Sequence, residues 1–328
     1  MEYRPLGSTG MVVSRLALGC GNFGGVGSAP AFFGQGENEE QARAILDAAV
    51  ELGITLLDTA DAYGGGRSER WLGRWLEGQP AERRSRAVLT TKVFHSVEGD
   101  PTDSGLARDR VLRQVEGSLE RLRVARIDLY LIHEPDPETP LEETLEALDE
   151  LVRDGRVRAI GASNIAAEEL ERALSISRER GLARFECVQN AYSLLERGVE
   201  TSVLPLCERE GIAFTAFSPL SGGWLTGKYR REQAPPAGSR MALRPEAYEG
   251  LLDDRVFTAV EGLMGAADAR GIDAATLSLA WLLGEERVTS VILGPRRPEH
   301  LEPARAALAL ELTAAERAEL GALFSRGD

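Results

Sequence analysis

The chain has 328 residues, with 38 Lys+Arg against 52 Asp+Glu and a formal net charge of −14. That length suits one large core, and we expect a single barrel domain over 1–328; the acidic balance without a Lys/Arg block excludes a general nucleic-acid or anionic-membrane binder. Cys20, Cys187 and Cys207 form no CxxC pair and no apolar run approaches a membrane span, so we expect no disulfide framework, no metal site and a cytoplasmic location.

In chain order, Tyr3–Leu6 and Met11–Val13 flank a Ser-Thr-Gly turn and predict a small hairpin. Short apolar runs then predict eight strands: Arg15–Gly19, Thr55–Asp58, Ala87–Lys92, Ile127–His133, Val157–Ser163, Glu186–Gln189, Ala213–Ser218 and Val288–Leu293. Helical periodicities lie between them. Ala42, Ile45, Leu46 and Ala49 form one apolar face, Leu112, Val115, Leu119 and Leu122 a second, and Leu141, Leu145, Leu148 and Val152 a third. Gly53, Gly155 and Gly211 end helical patterns just before strands, as a left-handed helix terminus favours. Eight strands alternating with helices predict an α/β fold of the (β/α)8 TIM-barrel type, with the N-terminal β-hairpin closing its lower end. A doubly wound open sheet is the alternative. Two long insertions, Asn22–Gly36 and Pro219–Leu252, are expected as loops at the C-terminal mouth.

Gly19, Gly21 and Gly24 spell GxGxxG after a strand, but no helical pattern begins before Glu37. A dinucleotide fingerprint needs a helix N-terminus there, so these glycines are read as a loop. The positive charges carry a clearer signal: Lys92 and Lys228 are the only lysines, beside 36 arginines. Lys92 closes an apolar run, where a buried ammonium acts as a compact charge that Arg does not replace.

Barrel enzymes place their chemistry at the C-terminal ends of strands. Asp58, Lys92 and His133 end strands two, three and four, and Tyr63 follows in the loop after Asp58. A phenol, an amine, an acid and an imidazole suit protonation of a carbonyl oxygen. The ammonium favours phenolate and eases proton donation, Asp58 keeps the ammonium charged, and His133 orients the carbonyl or assists the transfer. Each residue also has an ordinary role open to it, as turn cap, loop aromatic or strand-end histidine; their joint occurrence favours chemistry.

From Tyr3 to about Leu310 the sequence resembles the aldo-keto reductase superfamily, in its bacterial, potassium-channel-β-subunit-like branch. The resemblance rests on YRPLGSTG (Tyr3–Gly10), LDTADAYG (Leu57–Gly64), TTKV (Thr90–Val93), LIH (Leu131–His133), IGASN (Ile160–Asn164), VQNAYS (Val188–Ser193), FSPL (Phe217–Leu220) and LTGKY (Leu225–Tyr229). It implies a (β/α)8 barrel, an alcohol-dehydrogenase-type oxidoreductase, and a catalytic set of Asp58, Tyr63, Lys92 and His133. The implied cofactor is NADPH/NADP+, with NADH possible, and the substrate a small carbonyl compound or alcohol. Ser163, Asn164 and Gln189 match the holders of the nicotinamide carboxamide, and Phe217 its stacking aromatic. Ser218, Leu220 and Gly222 match the pyrophosphate loop. Gly294, Arg296, Arg297 and His300 match the segment gripping the adenosine 2′-phosphate, where a helix starts close by.

This chain departs from the family pattern at three positions: Leu293 replaces Pro, His300 replaces Gln or Arg, and Ala304 replaces Asn. A charged His300 is expected to strengthen phosphate binding at acidic pH. Ser163–Asn164 also suits a cap for the helix near Glu168. Phe23, Phe32, Phe33 and Trp224 are candidates to line a substrate pocket, or to pack on their own loops. Lys228 receives no catalytic role. Two other functions stay open: a barrel hydrolase pairing Asp58 with a carboxylate such as Asp61, and a cofactor-binding regulatory subunit with little turnover.

Overall fold

In a computed structural model of the chain, described for residues 1–100 and 102–325, β1 (Tyr3–Pro5) and β2 (Val12–Ser14) pair antiparallel as the expected hairpin. The strands that follow are β3 (Leu16–Gly19), β4 (Leu56–Asp58), β5 (Val88–Val93), β6 (Ile127–Ile132), β7 (Val157–Ser163), β8 (Phe185–Ala191), β9 (Ala213–Phe217) and β10 (Ser290–Leu293). Each pairs in parallel with the next, and β10 closes on β3. This is the (β/α)8 barrel, and the open-sheet alternative falls. Below it, Leu6, Met11 and Val13 pack with the inward-facing Ala17, Leu56, Leu129 and Ala213, so the hairpin plugs the end opposite the site.

The strand ends differ from expectation for local reasons. β10 begins at Ser290; Val288 before it closes a turn on the Glu285 carbonyl, and its own carbonyl is held by the guanidinium groups of Arg15 and Arg4. Arg15, expected in strand one, lies just before β3: its carbonyl accepts from the Val291 N–H at 2.9 Å, and its buried side chain also reaches the Leu283 carbonyl. β8 extends to Ala191 because Asn190 and Ala191 continue the ladder beside Ala216 and Phe217.

Among the helices, Glu39–Glu51 is set by an Asn38–Gln41 capping box and buries Ala42, Ile45, Leu46 and Ala49. Gly53 follows with φ 92°, a conformation that a Cβ disfavours. Helix Arg108–Leu122 turns Val111, Val115, Ser118 and Leu122 inward, leaving the predicted Leu112 and Leu119 at the edge of that face. The buried Arg110 guanidinium pins its first turn to the carbonyls of Gly105 and His95, both at 2.9 Å.

Two long loops cross the mouth. The second winds through short turns and helix Arg240–Leu243 around a small core of Trp224, Tyr229 and Met241. Trp224 therefore packs inside its own loop. Phe23 is buried in the main core, Phe32 lies under Arg244 with the guanidinium 5.3 Å from its ring centroid, and Phe33 packs against Gly65. Among the described residues, no helix is long and apolar enough to cross a membrane.

Candidate active site

Strand geometry brings Asp58, Lys92 and His133 to one end of three adjacent strands, and the turn after β4 swings Tyr63 over them. Lys92 is wholly buried. Its Nζ donates to Asp58 Oδ2 at 2.7 Å and to the Thr59 carbonyl at 2.8 Å, and lies 3.5 Å from Tyr63 Oη. On the other side of the phenol, His133 Nε2 is also 3.5 Å from Tyr63 Oη. The second oxygen of Asp58 accepts from the Gln189 amide at 2.8 Å.

Electrostatics assign each group a protonation state. Burial works against the Lys92 ammonium, but Asp58 and Tyr63 outweigh it and its pKa is raised. Burial raises the Tyr63 pKa, with Lys92 pulling it down and Asp58 pushing it up. The Lys92 ammonium eases ionisation of the phenol, as expected from the sequence, but burial outweighs it and the phenol keeps its proton at neutral pH. His133 is held well below its usual range by burial, then by Lys92 and His95, so it is a neutral imidazole. Its ring meets His95 edge-on at 4.8 Å between centroids.

A cavity of about 640 Å³ opens above these groups, within the range of small-molecule sites. Asp58, Tyr63 and His133 form its floor, and Lys92 sits beneath. Ser163, Asn164, Gln189 and Phe217 also line it, together with Ser218, Leu220, Gly222, Gly294, Arg296 and His300. Asn164 and Ser218 both have φ 54°, and non-glycine residues held left-handed often mark functional sites. Asn164 Nδ2 donates to the His133 carbonyl at 3.0 Å, which ties the amide wall to the floor. Neither Ser163 nor Asn164 caps the next helix, whose N-cap is Ala166.

Arg297 lies outside the cavity. Its side chain is 68% exposed and 3.7 Å from Glu299. His300 departs from expectation too: its Nδ1 accepts the Arg296 backbone N–H at 3.2 Å, and burial, with Arg297, Lys228 and Arg296, lowers its pKa. The helix expected there begins as the short turn Pro298–Leu301.

Three further residues were not legible in the sequence as part of the site. Arg240, Lys228 and Tyr248, all from the second long loop, line the cationic end of the cavity. Arg240 is partnered by Asn22 Oδ1, and burial lowers its pKa. Gly222 and Gly223 (φ 64° and 97°) make room for two of them, since a Cβ would lie 2.4 Å from the Tyr248 ring or 2.3 Å from Lys228 Nζ. The scarcity of lysine that marked Lys92 also marked Lys228.

Asp61 is fully buried, lines no part of the cavity, and has no side-chain hydrogen-bond partner among the described residues. Burial, then the charge of Glu69, pushes its carboxyl up to about 8. Asp58 and Asp61 thus do not face one cleft as a hydrolytic pair. Among the described residues no cluster of His, Cys, Asp or Glu is arranged to hold a metal ion.

A model of the Aldo/keto reductase family matches residues 15–324. The chain belongs to this family. Aldo/keto reductases typically use nicotinamide cofactors. Similar proteins include "Uncharacterized oxidoreductase YrpG" of Bacillus subtilis, 36% identical over 95% of this chain and 92% of that protein. L-glyceraldehyde 3-phosphate reductase of Escherichia coli is 34% identical over 92% of this chain and 86% of its own length. A rice protein named "Probable voltage-gated potassium channel subunit beta" is 34% identical, over 92% and 89% respectively.

Proposed function

We propose that the protein is an NADP(H)-dependent carbonyl reductase, with NAD(H) also accepted, that interconverts an aldehyde, ketone or sugar carbonyl with the alcohol. The observation that carries this reading is the protonated Tyr63 hydroxyl 3.5 Å from both Lys92 Nζ and His133 Nε2, on the floor of a cavity that ends in cations.

The cavity fits an anionic dinucleotide. Amide and hydroxyl groups at Ser163, Asn164 and Gln189 offer the donors and acceptors that a carboxamide needs, and Phe217 offers a stacking face. In a chain of net charge −14, Lys228, Arg240 and Arg296 gather in one part of the lining, as phosphates require. A bound nicotinamide supplies or accepts the hydride.

The rest of the chemistry belongs to the chain's own residues. Neutral His133 donates a hydrogen bond that orients the substrate oxygen. Tyr63 gives its proton to that oxygen as negative charge develops there. Lys92, held charged by Asp58, stabilises the resulting phenolate, a role that matters more in the transition state than before it. In the alcohol-to-carbonyl direction Tyr63 takes the proton back. Loss of reduced-nicotinamide absorbance with a panel of aldehydes, ketones and sugars tests this. Turnover of none of them would contradict it.

A regulatory, cofactor-binding role is the second reading, favoured by the similarity to the rice channel-subunit sequence. Cofactor binding without turnover across the panel is its signature.

A further inference from the structure

At the cationic end of the cavity, Arg296 is already engaged. Its Nε lies 2.6 Å from Glu37 Oε1, and its Nη1 donates to the Gly238 carbonyl at 2.5 Å. Glu37 and Arg296 are 259 positions apart, and the side chain of Glu37 is only 3% exposed. Its backbone is fixed as well. The Glu37 N–H donates to the Asn22 carbonyl at 2.9 Å, and its own carbonyl accepts from the Gly24 N–H at 2.9 Å. The other carboxylate oxygen, Oε2, is buried with no hydrogen-bond partner among the described residues. Glu37 does not line the cavity; Arg296 does.

A 2′-phosphate near Arg296 has to compete with this carboxylate. Full engagement of the guanidinium by the phosphate removes the one cation hydrogen-bonded to Glu37 among the described residues, and strands a buried carboxylate, which is costly. Partial engagement leaves a phosphate dianion close to a like charge. A cofactor with a free 2′-hydroxyl meets neither penalty. Arg240, whose charge also senses Glu37, is held by Asn22 and does not take over the pairing.

We infer that Glu37 is a positioning residue that restrains the cofactor preference of this site: by holding Arg296 it brings the affinities for NADP(H) and NAD(H) close together. This rests on the nicotinamide reading above, and binding measurements separate the two. Arg296 supplies attraction for the phosphate, and Glu37 takes part of it back.

The test is titration of wild type, Glu37→Gln and Glu37→Asp with NADPH and NADH, followed by protein and nicotinamide fluorescence. Gln keeps the size of the side chain and removes its charge. Glu37→Gln is expected to tighten NADPH binding about tenfold, the scale of one well-placed charge contact, while NADH binding moves about twofold or less. Glu37→Asp, which keeps the charge, should stay nearer wild type. In an Arg296→Ala background the Glu37→Gln gain for NADPH should shrink to what direct repulsion of the phosphate leaves, a non-additivity that mere loosening of the loop would not produce. Equal shifts for both cofactors, or an unchanged NADPH affinity in a folded Glu37→Gln protein, would overturn the inference while leaving the reductase reading intact. A wild type that binds neither cofactor would overturn both.

Discussion

Lys92 Nζ lies 2.7 Å from Asp58 Oδ2, an ion pair with the ammonium wholly removed from solvent. Buried pairs of this kind add little net stability, but breaking one leaves an uncompensated charge costing about 3–5 kcal/mol. Lys92→Met is therefore expected to destabilise the fold strongly and abolish turnover. The Lys92→Met, Asp58→Asn double variant should regain much of the lost stability and none of the activity. Denaturant unfolding of the full cycle checks this, and strictly additive losses would show that the two residues are not coupled.

Asp61 gives a stability prediction independent of catalysis. Its native carboxyl holds a proton up to about pH 8, whereas an unfolded Asp releases it near pH ~3.9. Between those values the native state binds the extra proton, so this group's stabilising share is full at the acid end and declines as pH rises towards 8. Asp61→Asn should flatten that decline and raise stability at neutral pH by a few kcal/mol, because each tenfold difference in proton affinity between the native and unfolded chain is worth about 1.36 kcal/mol. Urea midpoints at about pH 5 and about pH 8 measure it. A steeper fall in the variant would contradict the assignment.

The glycine pair at the start of the second loop is expected to be intolerant. Gly222→Ala places a Cβ 2.4 Å from the Tyr248 ring at φ 64°, with a backbone cost alone of about 1–2 kcal/mol. The loop should lift from the cavity, seen as faster proteolysis within 219–252 and weaker cofactor binding.

His300 should contribute a charge only in acid. Because burial and neighbouring cations lower its pKa, NADP(H) affinity is expected to be flat through neutral pH and to rise only below the ordinary histidine range of about 6.5. Replacement by Gln should remove that rise, measured by titration across pH.

The barrel was legible because strands buried on both faces read as apolar runs, and Gly53, Gly155 and Gly211 punctuate the helices that lead into them. Strand ends also brought together Asp58, Lys92 and His133, since an α/β barrel has one polarity. What lay outside local pattern was missed. Arg240 and Tyr248 come from an irregular loop whose path depends on its own small core, and the Glu37–Arg296 pair joins opposite ends of the chain. The net direction of the Tyr63 shift depends on burial, which spacing along the chain does not report.

If Tyr63 gives the proton to the substrate oxygen, Tyr63→Phe is the decisive variant, because it keeps the ring and removes only the hydroxyl. Cofactor affinity and carbonyl reduction are measured side by side on wild type and variant. Cofactor binding is expected to be unchanged, and the reduction rate to fall at least ~10²-fold, the scale of general acid catalysis. A variant that reduces the same carbonyl compound at a rate close to wild type would contradict proton transfer from Tyr63.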